Sequence, residues 1–171
     1  MRRKNLFVVE VDVYLASLYL GTEALQAAKA VKVSDASMAG LSDALAASLA
    51  KEGPAATAQV ATTLKFVRDV GQTKVVEAFN EAFAGCDKAA VDSFKKNMAD
   101  TIGANGMKNG ETLTFYWMNG GAGLAVEKNG EVGPALKAPE LEKRLLEVYT
   151  RPASAVSPEL IKTVKEHIQC V

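Results

Sequence analysis

The sequence predicts an α+β protein in which a large antiparallel sheet carries a layer of helices on one face. Three observations support this class: runs rich in β-branched and aromatic residues recur along the chain, blocks with helical periodicity lie between them, and the two kinds do not alternate regularly as in parallel α/β folds. With 171 residues, 49% of them hydrophobic, the chain is long enough to bury a real core. We therefore expect a single domain over residues 1–171.

The first elements are predicted from the run NLFVVEVDVYLASLYL at residues 5–20. This run is too polar for a membrane span and too rich in β-branched residues for a stable helix, so it predicts one strand or two. Alanine-rich segments at residues 22–31 and 42–53 predict two helices, the second stopped by Gly53-Pro54. The threonine- and valine-rich segment at residues 57–70 predicts another long strand.

Helical periodicity returns in the middle of the chain. Apolar residues recur at the spacing of one helix face between residues 75 and 83 and again between residues 91 and 98. Asp87 precedes the second block and is a suitable N-cap, because a short acidic side chain can accept from the free backbone N–H groups of the first turn. We therefore expect two amphipathic helices in succession.

The last third of the chain is predicted as a strand meander followed by helices. Residues 111–118 and 123–132 have strand character, and Asn129-Gly130 supplies a turn at the end of the second segment. A helix is expected from Pro139 and another from Ser157, because each start combines proline with acidic residues ahead of an apolar periodic run.

The composition argues against several functions. Twenty basic residues balance twenty acidic ones, so the net charge does not favour nucleic acid or an acidic membrane as a partner, and no run approaches the roughly 18 apolar residues of a membrane helix. Cys86 and Cys170 have no metal-ligand spacing and fit free thiols in a reducing compartment. The only histidine, His167, leaves no metal-binding pair and no Ser-His-Asp arrangement. We expect a soluble, intracellular protein without metal or cofactor.

Two further groups have both a functional and a structural explanation. Glu10 and Asp12 would share one strand face, either as an acid/base pair or, as we favour, as partners of cations on a neighbouring strand. In the run FYWM, Phe115 and Trp117 fall on one strand face and Tyr116 on the other. Core packing is the favoured explanation for the two that share a face.

Four segments, in their order and spacing, resemble the chalcone isomerase-like superfamily: RRKNLFVVEVDVYLASLYL, TLKFVRDVGQTKVVEAFNEAF, KNGETLTFYWMNGGAGLAVEKNGEVG and LLEVYTRPASAVSPELI. The resemblance extends over nearly the whole chain. It implies an open-faced sandwich in which a large antiparallel sheet and a layer of helices enclose an apolar cleft. The superfamily includes true chalcone isomerases, plastid fatty-acid-binding proteins and non-catalytic relatives.

The resemblance implies three ligand-binding residues. Arg2 matches the arginine that neutralises an anionic ligand, and Tyr14 matches a strand position that is tyrosine in the fatty-acid binders and threonine in the isomerases. On one straight strand these residues would lie about 40 Å apart, so they can share a ligand only through a hairpin with its turn near Val8, where FVVE lacks the usual turn residues. Tyr149 falls close to the last polar position that lines the family's pocket, with simple wall packing as the alternative.

The isomerase pattern is incomplete. The catalytic tyrosine of the isomerases precedes the helix that begins here in DVGQTKVVEAF, where Gly71, Gln72 and Thr73 stand instead, and the expected asparagine falls near Ala78. An isomerase must stabilise the developing enolate with directed donors. The resemblance therefore favours non-catalytic binding of a fatty acid or similar amphipathic anion.

Two alternatives remain open at this point, and so do the location and the oligomeric state. The first alternative is a chalcone isomerase-type intramolecular lyase acting on a phenolic substrate; the second is a partner protein that uses the fold as an interaction surface. A plastid location is expected if a transit segment precedes Met1. The oligomeric state is not predicted.

Overall fold

The computed structural model describes residues 2–6, 9–31, 38–50, 58–80, 82–150, 160, 162–164 and 166. Within these residues, six strands form one antiparallel sheet whose spatial order is the chain order. The strands are β1 (Arg2–Leu6), β2 (Val9–Leu20), β3 (Ala58–Phe66), β4 (Thr112–Met118), β5 (Gly123–Lys128) and β6 (Glu131–Val132). The helices are α1 (Thr22–Ala30), α2 (Met38–Leu49), α3 (Gln72–Glu77), α4 (Lys88–Ile102) and α5 (Pro139–Thr150), with a 3-10 turn at Asn119–Gly121. The predicted α+β class is confirmed.

The two faces of the sheet differ in burial because successive side chains on a strand point to opposite sides. On the outer face, Leu15 and Tyr19 of β2 are 41% and 58% exposed. On the helix-facing side, cross-strand partners of β3 and β4 are at most 1% exposed: Val60 with Trp117, Thr62 with Phe115, and Leu64 with Leu113. The sheet is therefore covered on one face, and the expected core packing of Phe115 and Trp117 is confirmed.

Helices and helix-facing strand residues share one hydrophobic core. Helix α1 contributes only the small side chains of Ala24 and Ala28, both fully buried, which lets its backbone approach the sheet closely. Helix α4 contributes Phe94, whose ring packs edge-on against Phe83 at 5.1 Å between centroids. These contacts hold the helix layer against β3, β4 and β5.

Local signals located α4 and α5 well. A side-chain oxygen of Asp87 accepts a hydrogen bond of 2.9 Å from the backbone N–H of Ala90, so α4 begins behind the predicted cap. Helix α5 begins at Pro139, as expected. Helix α2 begins four residues earlier than predicted, at Met38 rather than Ser42. Its predicted stop at Gly53-Pro54 lies outside the described residues.

The helix expected over residues 75–83 is wrong in its length. Helix α3 ends at Glu77, and the chain continues through turns in which the N–H of Phe79 donates to the carbonyl of Val76 at 3.3 Å. The ring of Phe79 packs edge-on against Phe115, with 5.4 Å between centroids. Tertiary packing of the aromatic side chain thus takes precedence over continuation of a regular helix.

The strand expected over residues 57–70 is also shorter. Strand β3 ends at Phe66, although Val70 forms one isolated antiparallel bridge with Met107. The segment 123–132 divides at Asn129-Gly130 into β5 and β6, as the predicted turn requires. Leu160 and residues 162–164 are helical, whereas the expected helix start at Ser157 lies outside the described residues, as do His167 and Cys170.

Candidate functional site

The first two strands form the hairpin that a shared site for Arg2 and Tyr14 requires. Strands β1 and β2 are antiparallel, with Leu6 paired to Val9 at one end of the ladder. The two strands are therefore arms of one antiparallel hairpin, and the turn expected near Val8 lies outside the described residues.

The register of this hairpin determines which residue lies opposite Arg2. Arg3 is paired with Asp12, and a regular continuation of the ladder would pair Arg2 with Val13. Instead the register shifts by one residue between Arg2 and Arg3, so that Arg2 is paired with Tyr14. Such a β-bulge adds one residue to one strand and reverses the face on which later pairs meet. The bulge therefore brings the arginine and tyrosine positions together.

Tyr14 lies on the helix-facing side of the sheet, at the end where β1 pairs with β2. Its side chain is 7% exposed, and its backbone partner on β3 is Phe66. The rings of Tyr14 and Phe66 are tilted by 58°, with 5.9 Å between centroids. A phenol group thus lies at the inner face of the sheet, beside the β1–β2 bulge.

Tyr149 lies on the same side of the sheet but further along it. Its side chain is 2% exposed, and its ring is 6.5 Å from that of Phe115. Phe115 is the partner of Thr62, four residues from Phe66 on β3, which is about 13 Å along an extended strand. Tyr14 and Tyr149 are therefore separated along the inner face of the sheet. Tyr149 packs against Phe115 on that face.

Thr62 is a buried polar residue that the sequence analysis did not single out. It is 0% exposed, and its hydroxyl has no hydrogen-bond partner among the described residues. The available signal was its position, because Thr62 occupies a helix-facing site between the apolar Val60 and Leu64.

The positions that carry donors in the isomerases have other surroundings here. Gln72 is the first residue of α3, and its side-chain N–H donates a hydrogen bond of 2.8 Å to the carbonyl of Ala99 on α4. Thr73 is exposed, and Ala78 is the C-cap of α3. Gln72 therefore fastens α3 to α4.

The register also bears on the carboxylates of β2. Asp12 is paired with Arg3, and Glu10 with Asn5. A cation directly opposite a carboxylate is a common stabilising pair in sheets. A basic residue opposite Asp12 is the register that the favoured structural explanation requires.

A charged depression lies on the outer side of α5. It has a volume of about 320 Å³ and is lined by Glu140, Lys143, Arg144 and Glu147. The nearby Cys86 is a free thiol whose pKa is raised by burial and by the negative charge of Glu140, which keeps the thiol protonated. A charged lining of this kind does not suit an apolar ligand.

Two further findings concern only the part of the chain that the structure describes. In it, no group of three or more histidine, cysteine, aspartate or glutamate residues is arranged to hold a metal ion. None of its helices is both long and apolar enough to cross a membrane.

The fold and this hairpin define an open-faced α+β sandwich in which a basic position lies opposite a buried tyrosine at one end of a helix-covered sheet. The model of the chalcone isomerase-like family matches residues 2–155. The chain therefore belongs to the chalcone isomerase-like family, as its resemblance predicted.

A solved structure is similar over nearly the entire chain. The crystal structure of a fatty-acid binding protein of Arabidopsis thaliana matches with a TM-score of 0.66, covering 99% of this chain and 87% of that chain. The two sequences are 16% identical, so the comparison shows a common fold. No match was found among curated proteins.

Proposed function

We propose that the protein binds a fatty acid or a similar amphipathic anion between its sheet and its helices and catalyses no reaction on it. The observation that carries the proposal is the bulged register that pairs Arg2 with Tyr14. Membership of the chalcone isomerase-like family supports it, and so does the similarity to a structure described as a fatty-acid binding protein.

A guanidinium and a phenol together suit a carboxylate head group. Residues directly opposite each other in an antiparallel pair present their side chains to the same face, which is the basis for assigning Arg2 and Tyr14 to one head-group site. A charge-assisted hydrogen bond from arginine contributes about 1.5–3 kcal/mol, and the phenol can donate a second bond. The head group would therefore fix the orientation of the ligand.

The apolar chain of the ligand would supply most of the affinity. Each methylene transferred from water into an apolar site contributes about 0.8 kcal/mol. In this proposal the chain runs along the helix-facing side of the sheet from Tyr14 toward Phe115, and Tyr149 lines the far part of its path. The rings of Tyr14, Phe66 and Tyr149, all buried on this side of the sheet, lie along that path.

The proposal is tested by measuring what the purified protein holds and what it binds. Mass spectrometry of a denatured extract should detect a retained fatty acid, and calorimetric titration with hexadecanoate should show saturable binding. Arg2→Ala should weaken the affinity at least about tenfold, because it removes the charge that meets the carboxylate.

Arg3→Ala is the matched control. It removes the same charge one residue away, from a position opposite Asp12 rather than Tyr14. We expect it to change the affinity less than about threefold, because its partner on β2 is Asp12 and not the tyrosine. Equal losses in the two variants, or a wild-type protein that neither retains nor binds a fatty acid, would contradict the proposal.

The same preparation tests the isomerase alternative. If the protein is an intramolecular lyase, chalcone absorbance should fall faster in its presence than in buffer. Rates equal to those in buffer exclude that activity for the chalcone used.

A further inference from the structure

The hydroxyl of Thr62 differs from other buried hydroxyls in the part of the chain that the structure describes. The buried Ser48 and Thr150 donate hydrogen bonds of 2.7 and 2.8 Å to carbonyls one helical turn earlier in their own helices. On the outer face of the sheet, the hydroxyls of Thr63 and Thr114 lie 3.0 Å apart and bond to each other. Only for Thr62, among these residues, does the described structure supply no partner.

A valine would fill nearly the same space at this position without a cost for burying a hydroxyl. An unpaired buried hydroxyl destabilises the folded state, because it loses its hydrogen bonds to water and gains none. Val60, Leu64 and Phe66, the other buried helix-facing residues of β3 near it, are all apolar. A lone polar group in an apolar wall is the usual means by which a binding site orients one polar atom of a ligand.

We propose that the ligand carries a second oxygen, as a hydroxyl or keto group, near the middle of its apolar chain, and that this oxygen bonds to the hydroxyl of Thr62. The inference rests on the proposed function and names the ligand class more closely, as a mid-chain hydroxy or oxo fatty acid. Thr62 can donate to a keto oxygen and can donate to or accept from a hydroxyl, so both classes fit.

The spacing along β3 fixes where that oxygen lies. The head-group end of the site is marked by Phe66, the partner of Tyr14, and Thr62 lies about 13 Å further along the strand. An extended chain of single bonds advances about 1.2 Å per bond, as the polypeptide does over the three bonds of each residue. The second oxygen is therefore expected about ten bonds from the carboxylate.

The test compares octadecanoic acid with its 10-hydroxy and 2-hydroxy derivatives in calorimetric titrations. The wild-type protein should bind the 10-hydroxy acid about tenfold more tightly than octadecanoic acid, because the new hydrogen bond also satisfies a buried group. The 2-hydroxy acid should show no such gain. Thr62→Val should abolish the preference for the 10-hydroxy acid, whereas Thr62→Ser should retain it.

Thr63→Val is the control for removing a hydroxyl from β3, since Thr63 lies on the outer face and bonds to Thr114. It should keep the preference for the 10-hydroxy acid. Two results would overturn this inference while leaving the fatty-acid site intact. One is a wild-type protein that binds all three acids equally well, and the other is a Thr62→Val variant that still prefers the 10-hydroxy acid. Failure to bind any of the acids would overturn both.

Discussion

Arg2 lies directly opposite Tyr14 in the first hairpin, one residue away from the partner that a regular ladder would give it. Because side chains alternate between the two faces of a strand, a shift of one residue in the pairing changes which face of the sheet the partner of Arg2 belongs to. The bulge therefore has a direct bearing on whether the two residues can serve one ligand.

If both residues contact the same carboxylate, their substitutions should be coupled. Arg2→Ala and Tyr14→Phe should together weaken hexadecanoate binding by less than the sum of the single effects, with a coupling energy of about 1 kcal/mol. Titration calorimetry on the four proteins of the cycle measures this term. Strictly additive losses would contradict a common head-group site.

Lys128 is expected to stabilise the end of α4. Its ammonium group donates hydrogen bonds of 2.9 Å to the carbonyls of Ile102 and Gly106 and lies 3.4 Å from a carboxylate oxygen of Glu111. Ile102 ends α4, where free carbonyls favour a cation. Lys128→Met keeps the apolar stem but should lower the free energy of unfolding by about 1.5–3 kcal/mol, measured by urea denaturation.

Lys88→Met is the control for this prediction. Lys88 forms an exposed ion pair with Asp92 on the same helix, a type that adds little to stability because water and salt screen it, so Lys88→Met should change the free energy of unfolding far less. A similar loss of stability in both variants would show that Lys128 acts as an ordinary surface cation.

Gly123 should tolerate no side chain. Its φ is +106°, and an added Cβ would lie 2.4 Å from the carbonyl oxygen of Leu136. Leu136 forms an isolated antiparallel bridge with Leu124 of β5. Gly123→Ala should therefore destabilise the protein by more than about 3 kcal/mol, since backbone strain and a clash with backbone atoms add together. Gly120→Ala, with a φ of +66° and open space around it, should cost only about 1–2 kcal/mol in the same urea experiment.

Tyr116 should titrate at high pH. On the outer face of the sheet its hydroxyl donates a hydrogen bond of 2.6 Å to Glu127, and this bond, with burial and the negative charge of Glu127, raises the pKa of Tyr116 to about 12. The difference in tyrosinate absorbance between the wild-type protein and Tyr116→Phe should therefore report a transition near pH 12. Glu127→Gln should lower this pKa, whereas Tyr19→Phe should leave the transition in place.

The same shift makes stability depend on pH. The pKa of Tyr116 is raised above its value of about 10 in the unfolded chain, so the folded state binds more protons between these two values. The contribution of Tyr116 to stability should be complete below about pH 10 and should be lost as the pH rises toward 12. A Tyr116→Phe protein whose stability falls equally over this range would contradict the assignment.

The sequence by itself determined the elements whose signals lie within a few residues. The cap at Asp87 marked the start of α4, Pro139 marked the start of α5, and Asn129-Gly130 marked the turn between β5 and β6. Each signal is a local hydrogen bond or backbone preference, so it acts regardless of what packs around it. Alternation likewise indicated that Phe115 and Trp117 face the core.

Only the tertiary structure decided the features that depend on distant parts of the chain. The bulge opposite Arg2, the early end of α3 and the unpaired hydroxyl of Thr62 cannot be read from neighbouring residues, because each results from which strand or ring lies alongside. Strand register and hydrogen-bond satisfaction are set by partners far away in sequence. The family resemblance therefore suggested Arg2 and Tyr14 as ligand-binding residues, and only the pairing between strands showed that the two positions lie opposite each other.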